Sequence, residues 1–434
     1  MIKSCSHHLF ISIFLFSIIS GILFLHCERD DEPFPKPLIE SHDKNIANSI
    51  LYNDMHSRYY WYQYVPEVNP ISYSSPQSLM SGLKYDSIDK WSFVITTREY
   101  EQHFIETKSV IHGIQLSLTT NNNFVVLLVL ADSPMESAGV KRGWILMKVN
   151  NTDITPENYN TLLGSTATST FTFKNLQDSI VTIQSKPEVV EEKSVFHTDV
   201  IRSGNKNVGY MVLLSFVEPT IQQLNEAFQS FSDSGGIDEF VLDLRYNTGG
   251  MATAARYLAS SMNSSLENQT FIKYIHNDKH TDEDTIVNFE STNYSLEIDR
   301  LITITTNSTS SASELIINGL KPYTDVILIG DDTHGKPVGM EGFIYGNYAF
   351  FPVTFSTQNA NNYGGYFDGL QADAYVADDL EHQLGDTAEH CLNEALYYIR
   401  NETFSLKKSY VSQKHTILKP EIEKVLIKGL QSDL

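Results

Sequence analysis

Cysteine is scarce in this 434-residue chain: Cys5, Cys27 and Cys391 are too few and too widely spaced for a disulfide framework or a CxxC metal site. Positive charge is short as well. Thirty-one Lys+Arg stand against 53 Asp+Glu, a formal net charge of −22, so the electropositive footprint of a nucleic-acid-binding protein is missing and DNA and RNA are excluded as partners. No HExxH or comparable histidine cluster occurs, and His7 and His8 fall in the N-terminal apolar segment, so no metal and no other cofactor is expected. A GxSxG elbow and internal repeats are also absent. What the chain does have is length and apolar content. At roughly 100 to 200 residues per domain it allows two to four domains, and 41% hydrophobic residues supply a sizeable core.

The start of the chain decides the compartment. After Lys3, Leu9 to Leu25 carries no charge, as in a signal-peptide core or a short anchor, and it is marginal against the roughly 20 residues of a spanning helix. Cys27 follows, then the charged run Glu28 to Glu32. A cysteine there resembles the lipid-modified residue of a bacterial lipoprotein, although His26 replaces the usual small residue. A lipid anchor on Cys27, an uncleaved anchor and ordinary secretion all place the remaining chain outside the cytoplasm. The first is preferred and implies a cell-envelope protein held at the outer membrane.

Composition shifts divide the rest. Residues 1–26 read as the signal peptide, and 27–42, with Pro33, Pro35 and Pro37, as an extended tether. Residues 43–107 form a helical N-terminal domain, with a helix over 43–62 that presents Ile46, Ile50, Met55 and Tyr59. The aromatic cluster Tyr59-Tyr60-Trp61-Tyr62 serves packing or a substrate-facing surface. Residues 108–190 change to short β-type runs such as Phe124 to Leu130 and Phe171 to Phe173. From 191 to 403, strands near 208–216, 239–244, 301–305 and 326–330 alternate with helices near 220–231, 248–262, 313–320 and 387–399, which implies an α/β core. Cys391 sits on the apolar face of the last helix as a packed residue. Residues 404–434 are a polar tail without a motif.

Two segments of the core carry chemistry. Phe240 to Leu244 runs as a strand into Arg245-Tyr246-Asn247-Thr248-Gly249-Gly250 and then a helix, and glycines at such a turn leave N–H groups able to hold a developing oxyanion. The second is Thr305-Thr306-Asn307-Ser308-Thr309-Ser310-Ser311-Ala312-Ser313-Glu314, followed one strand later by His334-Gly335-Lys336. A serine at the first turn of a helix after a strand can act as a nucleophile, and a desolvated lysine can serve as its base. Equally, Ser311-Ala312-Ser313-Glu314 fits a capping box in which Ser311 only accepts from the helix start.

Family resemblance separates these readings. Asp132 to Asn150 looks like the helix-turn-strand stretch of a PDZ domain, with Trp144 and Asn151 at positions usually Asp and Gly. Gly113, Ile114 and Gln115 occupy the place of the loop that, in that family, receives a peptide's C-terminal carboxylate. The set Leu242 to Gly250, Ser311 to Glu314 and Gly335-Lys336 resembles the C-terminal processing (tail-specific) serine peptidases, related to the tricorn core. The stretch from Tyr366 to Asp386 is similar to lipoprotein-type members. The resemblance implies a multidomain α/β protein: a small helical cap, a PDZ-like β-rich domain and a crotonase-like ββα serine peptidase core. It implies Ser311 as nucleophile, Lys336 as general base, and Ala312 with Gly249 or Gly250 as oxyanion-hole donors. Protein or peptide substrates would be engaged through their C-terminal tails. Many members carry a Gln four residues after the catalytic Lys; Met340 stands here. The competing class is a catalytically inert envelope protein that keeps the peptide groove.

Overall fold

The computed structural model describes residues 36–37, 44–101, 108–119, 122–191 and 193–405; the signal segment, Cys27 and residues 406–434 lie outside the described residues. Two residues of the expected tether, Lys36–Pro37, form a short parallel bridge to Phe343 and Ile344. Helix α1, Lys44–Ser57, buries Ala47, Leu51 and Met55, one face at four-residue spacing. That face is shifted from the expected one, and Ile46 is 45% exposed. The helix also stops short of Tyr62. Asn277 donates to the carbonyls of Ser57 and Tyr59 at 2.9 and 3.0 Å, and the Tyr60 N–H donates to the Val353 carbonyl at 2.8 Å. The aromatic cluster is thereby drawn onto the α/β region, with Tyr59 and Trp61 buried. Helix α2, Pro76–Leu83, starts on a Ser75 cap with Pro at its first turn.

The N-terminal segment is not self-contained. Its strand Phe93–Thr96 pairs antiparallel with Tyr348–Phe351, and its core of Leu51, Met55, Tyr59, Leu79 and Leu83 continues into Phe343, Tyr345 and Phe350. Residues 44–101 therefore share a sheet and a core with the region beyond 191. The β-rich region is better separated. Strands Ile114–Leu118, Phe124–Val129, Ile145–Val149, Ser169–Lys174 and Ile180–Ser185 follow one another in an antiparallel sheet around Leu116, Val126, Leu146, Phe171 and Phe173. Lys108–Ile111 and Glu188–Glu191 pair as a ribbon at its entry and exit.

The α/β region is built on one six-stranded sheet: β1 (Val195–Ser203), β2 (Lys206–Leu213), β3 (Glu239–Asp243), β4 (Arg300–Thr305), β5 (Asp325–Gly330) and β6 (Ala374–Tyr375). They lie in that order, β1 antiparallel to β2 and the rest parallel. Side-chain alternation feeds two cores. Met211, Leu213, Phe240 and Leu242 meet α3 (Thr220–Asp233), α4 (Ala252–Ser260) and α5 (Ala312–Leu320). Tyr210, Val212, Val241, Ile302 and Ile304 meet α6 (His390–Asn401) on the other face, where Cys391 is buried and unpaired. Parallel strands with crossover helices bring the loops after β3, β4 and β5 to one edge, where ligands bind in sheets of this kind.

Candidate active site

Ser311 caps the N-terminus of α5 at φ 55°, ψ −116°, a conformation that a side chain rarely adopts and that persists only when its surroundings enforce it. The surroundings here are hydroxyl groups. Thr309 Oγ1 donates to the Leu244 carbonyl at 2.8 Å, Ser310 Oγ to Thr248 O at 2.8 Å and Ser313 Oγ to Asn247 O at 3.1 Å, and Thr306 Oγ1 donates to Arg245 O. The Thr/Ser-rich run after β4 is thus fastened to the turn after β3. Gly249 lies so close that a Cβ on it would stand 2.8 Å from the Ser311 Cβ and 3.1 Å from the Ala312 nitrogen. Its positive φ of 107° and that of Gly250, 135°, explain why α4 starts at Ala252 and not at Thr248.

The two glycines are not equivalent as donors. The Gly249 N–H is spent on Asn247 Oδ1 at 2.8 Å, and Asn247 is itself pinned to the Leu213 carbonyl at 3.0 Å. The Gly250 and Ala312 N–H groups donate to no protein acceptor among the described residues. Gly250 is exposed. Of the expected alternatives, Gly250 and Ala312 keep an N–H without a protein acceptor among the described residues, and Gly249 supports the turn.

Glu314 brings in the lysine. Fully buried, it accepts from Ser311 N at 2.9 Å and Lys336 N at 2.8 Å on one oxygen, and from Gly335 N at 2.7 Å and Thr333 Oγ1 at 2.5 Å on the other. Burial pushes its carboxyl above the ordinary glutamate range, while Thr333 and the three amides pull against it. The S-x-x-E spacing is therefore part of a helix cap, as a capping box requires, and the same carboxylate also ties the Ser311 and Lys336 backbones together. Gly335, φ 86°, packs against Phe367 O, where a Cβ would approach to 2.4 Å, which seats the lysine loop on the closing stretch. Met340 ends the strand Val338–Met340 and packs among apolar residues.

Beneath the glycine turn, Arg245 is fully buried. It bonds both Asp243 oxygens, both Glu389 oxygens at 2.8 and 2.9 Å, and Asp378 at 2.8 Å. Asp378 also accepts from Tyr246 Oη at 2.5 Å and from Arg142 of the β-rich region at 2.8 Å. Burial raises the Asp378 and Glu389 carboxyls, but the neighbouring guanidiniums more than reverse it, Arg142 and Arg245 for Asp378 and Arg245 for Glu389. Both carboxyls end below their ordinary range.

The structure thus brings Ser311, Ala312, Gly249, Gly250 and the Lys336 backbone to one place. Gly113, Ile114 and Gln115 belong to a different neighbourhood: Gly113, φ 87°, packs on Ser133, and Ile114 opens an edge strand of the β-rich sheet. Cys27 lies outside the described residues. Sequence reasoning missed Glu314 as a bridge, Asn247 as a turn support and the Arg245 cluster. Only the density of Thr and Ser around 305–313 hinted at the hydroxyl contacts.

Residues 207–376 match the profile described as Peptidase family S41, and residues 47–93 the Peptidase S41 N-terminal domain. The chain belongs to peptidase family S41. A carboxy-terminal-processing protease of Bartonella bacilliformis is 24% identical over 262 residues, which cover 58% of this chain and 57% of that protein. A chloroplastic carboxyl-terminal-processing peptidase 1 of Arabidopsis thaliana is 27% identical over 224 residues, 50% of this chain and 44% of that one. The chain spans about half the length of such relatives. A crystal structure from Bacteroides fragilis that carries an S41 protease name superposes with a TM-score of 0.68 at 24% identity, covering 84% of this chain and all of that one, and supports the S41 fold.

Proposed function

We propose that this protein is a serine endopeptidase of the cell envelope, working through Ser311 and Lys336 on protein or peptide substrates. The observation that carries the reading is the shared carboxylate: the Ser311 and Lys336 amides sit on one oxygen of Glu314, beside two uncommitted N–H groups at Gly250 and Ala312. In the reaction the Lys336 amine, in its neutral form, takes the Ser311 hydroxyl proton as Oγ attacks the scissile carbonyl. The tetrahedral oxyanion is held by the Gly250 and Ala312 amides. Collapse expels the amine with the proton from Lys336 and leaves an acyl-enzyme, which water hydrolyses with Lys336 again as base.

The β-rich region, read as a PDZ-like domain, would take a substrate's C-terminal carboxylate at Gly113, Ile114 and Gln115 and add the tail as a strand beside Ile114–Leu118, an edge of its sheet. The α/β region would be the crotonase-like ββα core, and Cys27 the lipid anchor that holds the protein to the outer membrane. Cleavage of an unstructured, C-terminally tagged protein by wild type, Ser311→Ala and Lys336→Ala tests the chemistry. Wild type should cut and both variants should be inert. Equal inertness of all three would favour the peptide-binding alternative, and cleavage by Ser311→Ala would remove the assigned nucleophile.

A further inference from the structure

Away from Ser311, the end of the strand Thr270–His276 gathers a second group of titratable side chains. One ligand atom each from His276, Glu283 and Glu341 lie within 4.8 Å of one another. The His276 side chain is 5% exposed, yet neither ring nitrogen has a hydrogen-bond partner. The nearest carboxylate oxygens, Asp284 Oδ1 beside Nδ1 and Glu341 Oε1 beside Nε2, stand off at 3.5 and 3.7 Å. A buried imidazole normally donates at one nitrogen and accepts at the other. Here a ring flanked by carboxylates on both sides, at ion-pair and not hydrogen-bond distance, has room for a cation.

Charge points the same way. Asp54, Glu283, Asp284 and Glu341 converge on this junction, and Arg58 is the guanidinium that answers them, at 3.0 Å from Glu283 Oε2 and also on Glu341 Oε2. Arg58 faces these four carboxylates together with the imidazoles of His276 and His280, which stand in ion-pair range of Asp284, Glu341 and Glu283.

We propose that His276, Glu283 and Glu341 bind a divalent transition ion of the zinc class. Bonds of about 2.0–2.2 Å to nitrogen and carboxylate oxygen place tetrahedral ligands roughly 3.4 Å apart, so a small side-chain rotation closes the 3.7 Å gap between His276 and Glu341. The outer contacts that hold metal ligands in place are present. His280 Nδ1 sits 2.8 Å from Glu283 Oε1, Arg58 takes the far oxygens of both glutamates, and Asp284 accepts the His276 backbone N–H at 2.7 Å. Glu341 and Glu283 are 41% and 32% exposed, which gives the ion an entry path, and solvent completes its coordination. The ion would strengthen the joint between the end of α1, which carries Asp54 and is followed by Arg58, and the end of the Val338–Met340 strand that follows Lys336.

The full chain, stripped with a chelator and titrated with Co2+, should bind one ion per chain with the intense visible bands of a four-coordinate site, and Zn2+ should displace it. His276→Gln should abolish those bands, and Glu341→Gln should weaken uptake by about tenfold or more. Ser311→Ala should bind Co2+ as wild type does, which keeps this site separate from the peptidase chemistry. Absence of Co2+ uptake by wild type would overturn the proposal, leaving a proton as the bridge between His276 and its carboxylates. Undiminished uptake by folded His276→Gln would also overturn it. Should the variant fail to fold, the wild-type stoichiometry and band intensity decide.

Discussion

Glutamine at position 314 separates a helix cap from a bridge between the Ser311 and Lys336 segments. Glu314 accepts four hydrogen bonds, two on each oxygen. An amide accepts on one side only. With its NH2 on the Oε2 side, it would face two backbone donors, Ser311 and Lys336. On the Oε1 side it would face the Gly335 N–H and the Thr333 hydroxyl, which already accepts from Leu370 N at 2.7 Å and can offer its second lone pair. The second orientation costs less, so the variant keeps the Ser311 and Lys336 bonds and leaves the Gly335 amide unmet. One buried N–H without a partner costs about 1–3 kcal/mol, and the surviving bonds lose their charge assistance. At about 1.4 kcal/mol per tenfold, Glu314→Gln should lower kcat/KM by about 10- to 100-fold. The loss should fall on kcat, since Glu314 aligns the lysine loop and does not touch substrate. Steady-state kinetics on an unstructured tagged substrate, run beside a thermal melt, measure both effects. A folded variant with wild-type kcat would refute the bridging role and return Glu314 to a simple cap.

Gly250→Ala should destabilise the fold by at least about 1–3 kcal/mol in chemical denaturation, because φ is 135° and the new Cβ would meet the Phe216 carbonyl at 2.1 Å. Gly204→Ala, at φ 62° with open space around it, is the control and should cost less. Arg245→Met leaves Asp243 and Glu389 in the interior without a guanidinium and Asp378 with Arg142 alone, and should cost about 3–5 kcal/mol, read from denaturant midpoints; a cost under about 1 kcal/mol would contradict the buried network. Asp378 and Glu389 titrate lower folded than unfolded, so their contribution is complete above the ordinary carboxylate pKa of about 4 and is lost as pH falls through the folded values. Glu389→Gln should therefore be less stable at neutral pH and lose less on acidification, measured as denaturation midpoints against pH.

The alternation of strands and helices in the α/β region was readable because fully buried parallel strands are near-continuous apolar runs: β3 and β5 lie within a residue of where Glu239 to Leu244 and Val326 to Gly330 place them. Helix starts were less legible. α4 begins four residues after Thr248 because the glycine turn must first reach its positive φ values, and α6 waits for the Glu389 cap. The candidate site was legible as a list of residues, because Ser311, Lys336 and the glycines form recognisable short motifs, and the structure brings their backbones together. Its wiring was not. Glu314 meets Lys336 across 22 positions and Arg245 meets Glu389 across 144, and no local periodicity reports such pairs. The same blindness hid His276, Glu283 and Glu341, which only tertiary structure collects.

The irregular stretch after Phe367 shows why residues with no secondary structure can still be tightly specified. Buried and half-buried residues alternate along most of it, and amides and carbonyls taken from water need partners that a helix or sheet would otherwise supply. Near one end, the Leu370 carbonyl takes the Thr333 N–H at 3.0 Å, and a Cβ at Gly369 would stand 2.2 Å from Thr333 O, so only a glycine lets the lysine loop lie flat against it. In the middle, Asp373 accepts the Leu328 N–H at 2.9 Å and carries β6 onto the edge of β5. At the other end, Asp378 joins Arg142 to Arg245, while the Leu380 carbonyl approaches so near to Gly143 that a Cβ there would stand at 2.0 Å. The acids and glycines of this stretch are thus set by close backbone approach and buried charge. It is one continuous segment from the loop of Lys336 to the β-rich region, so Arg142 and Lys336 take their positions from opposite ends of the same few residues.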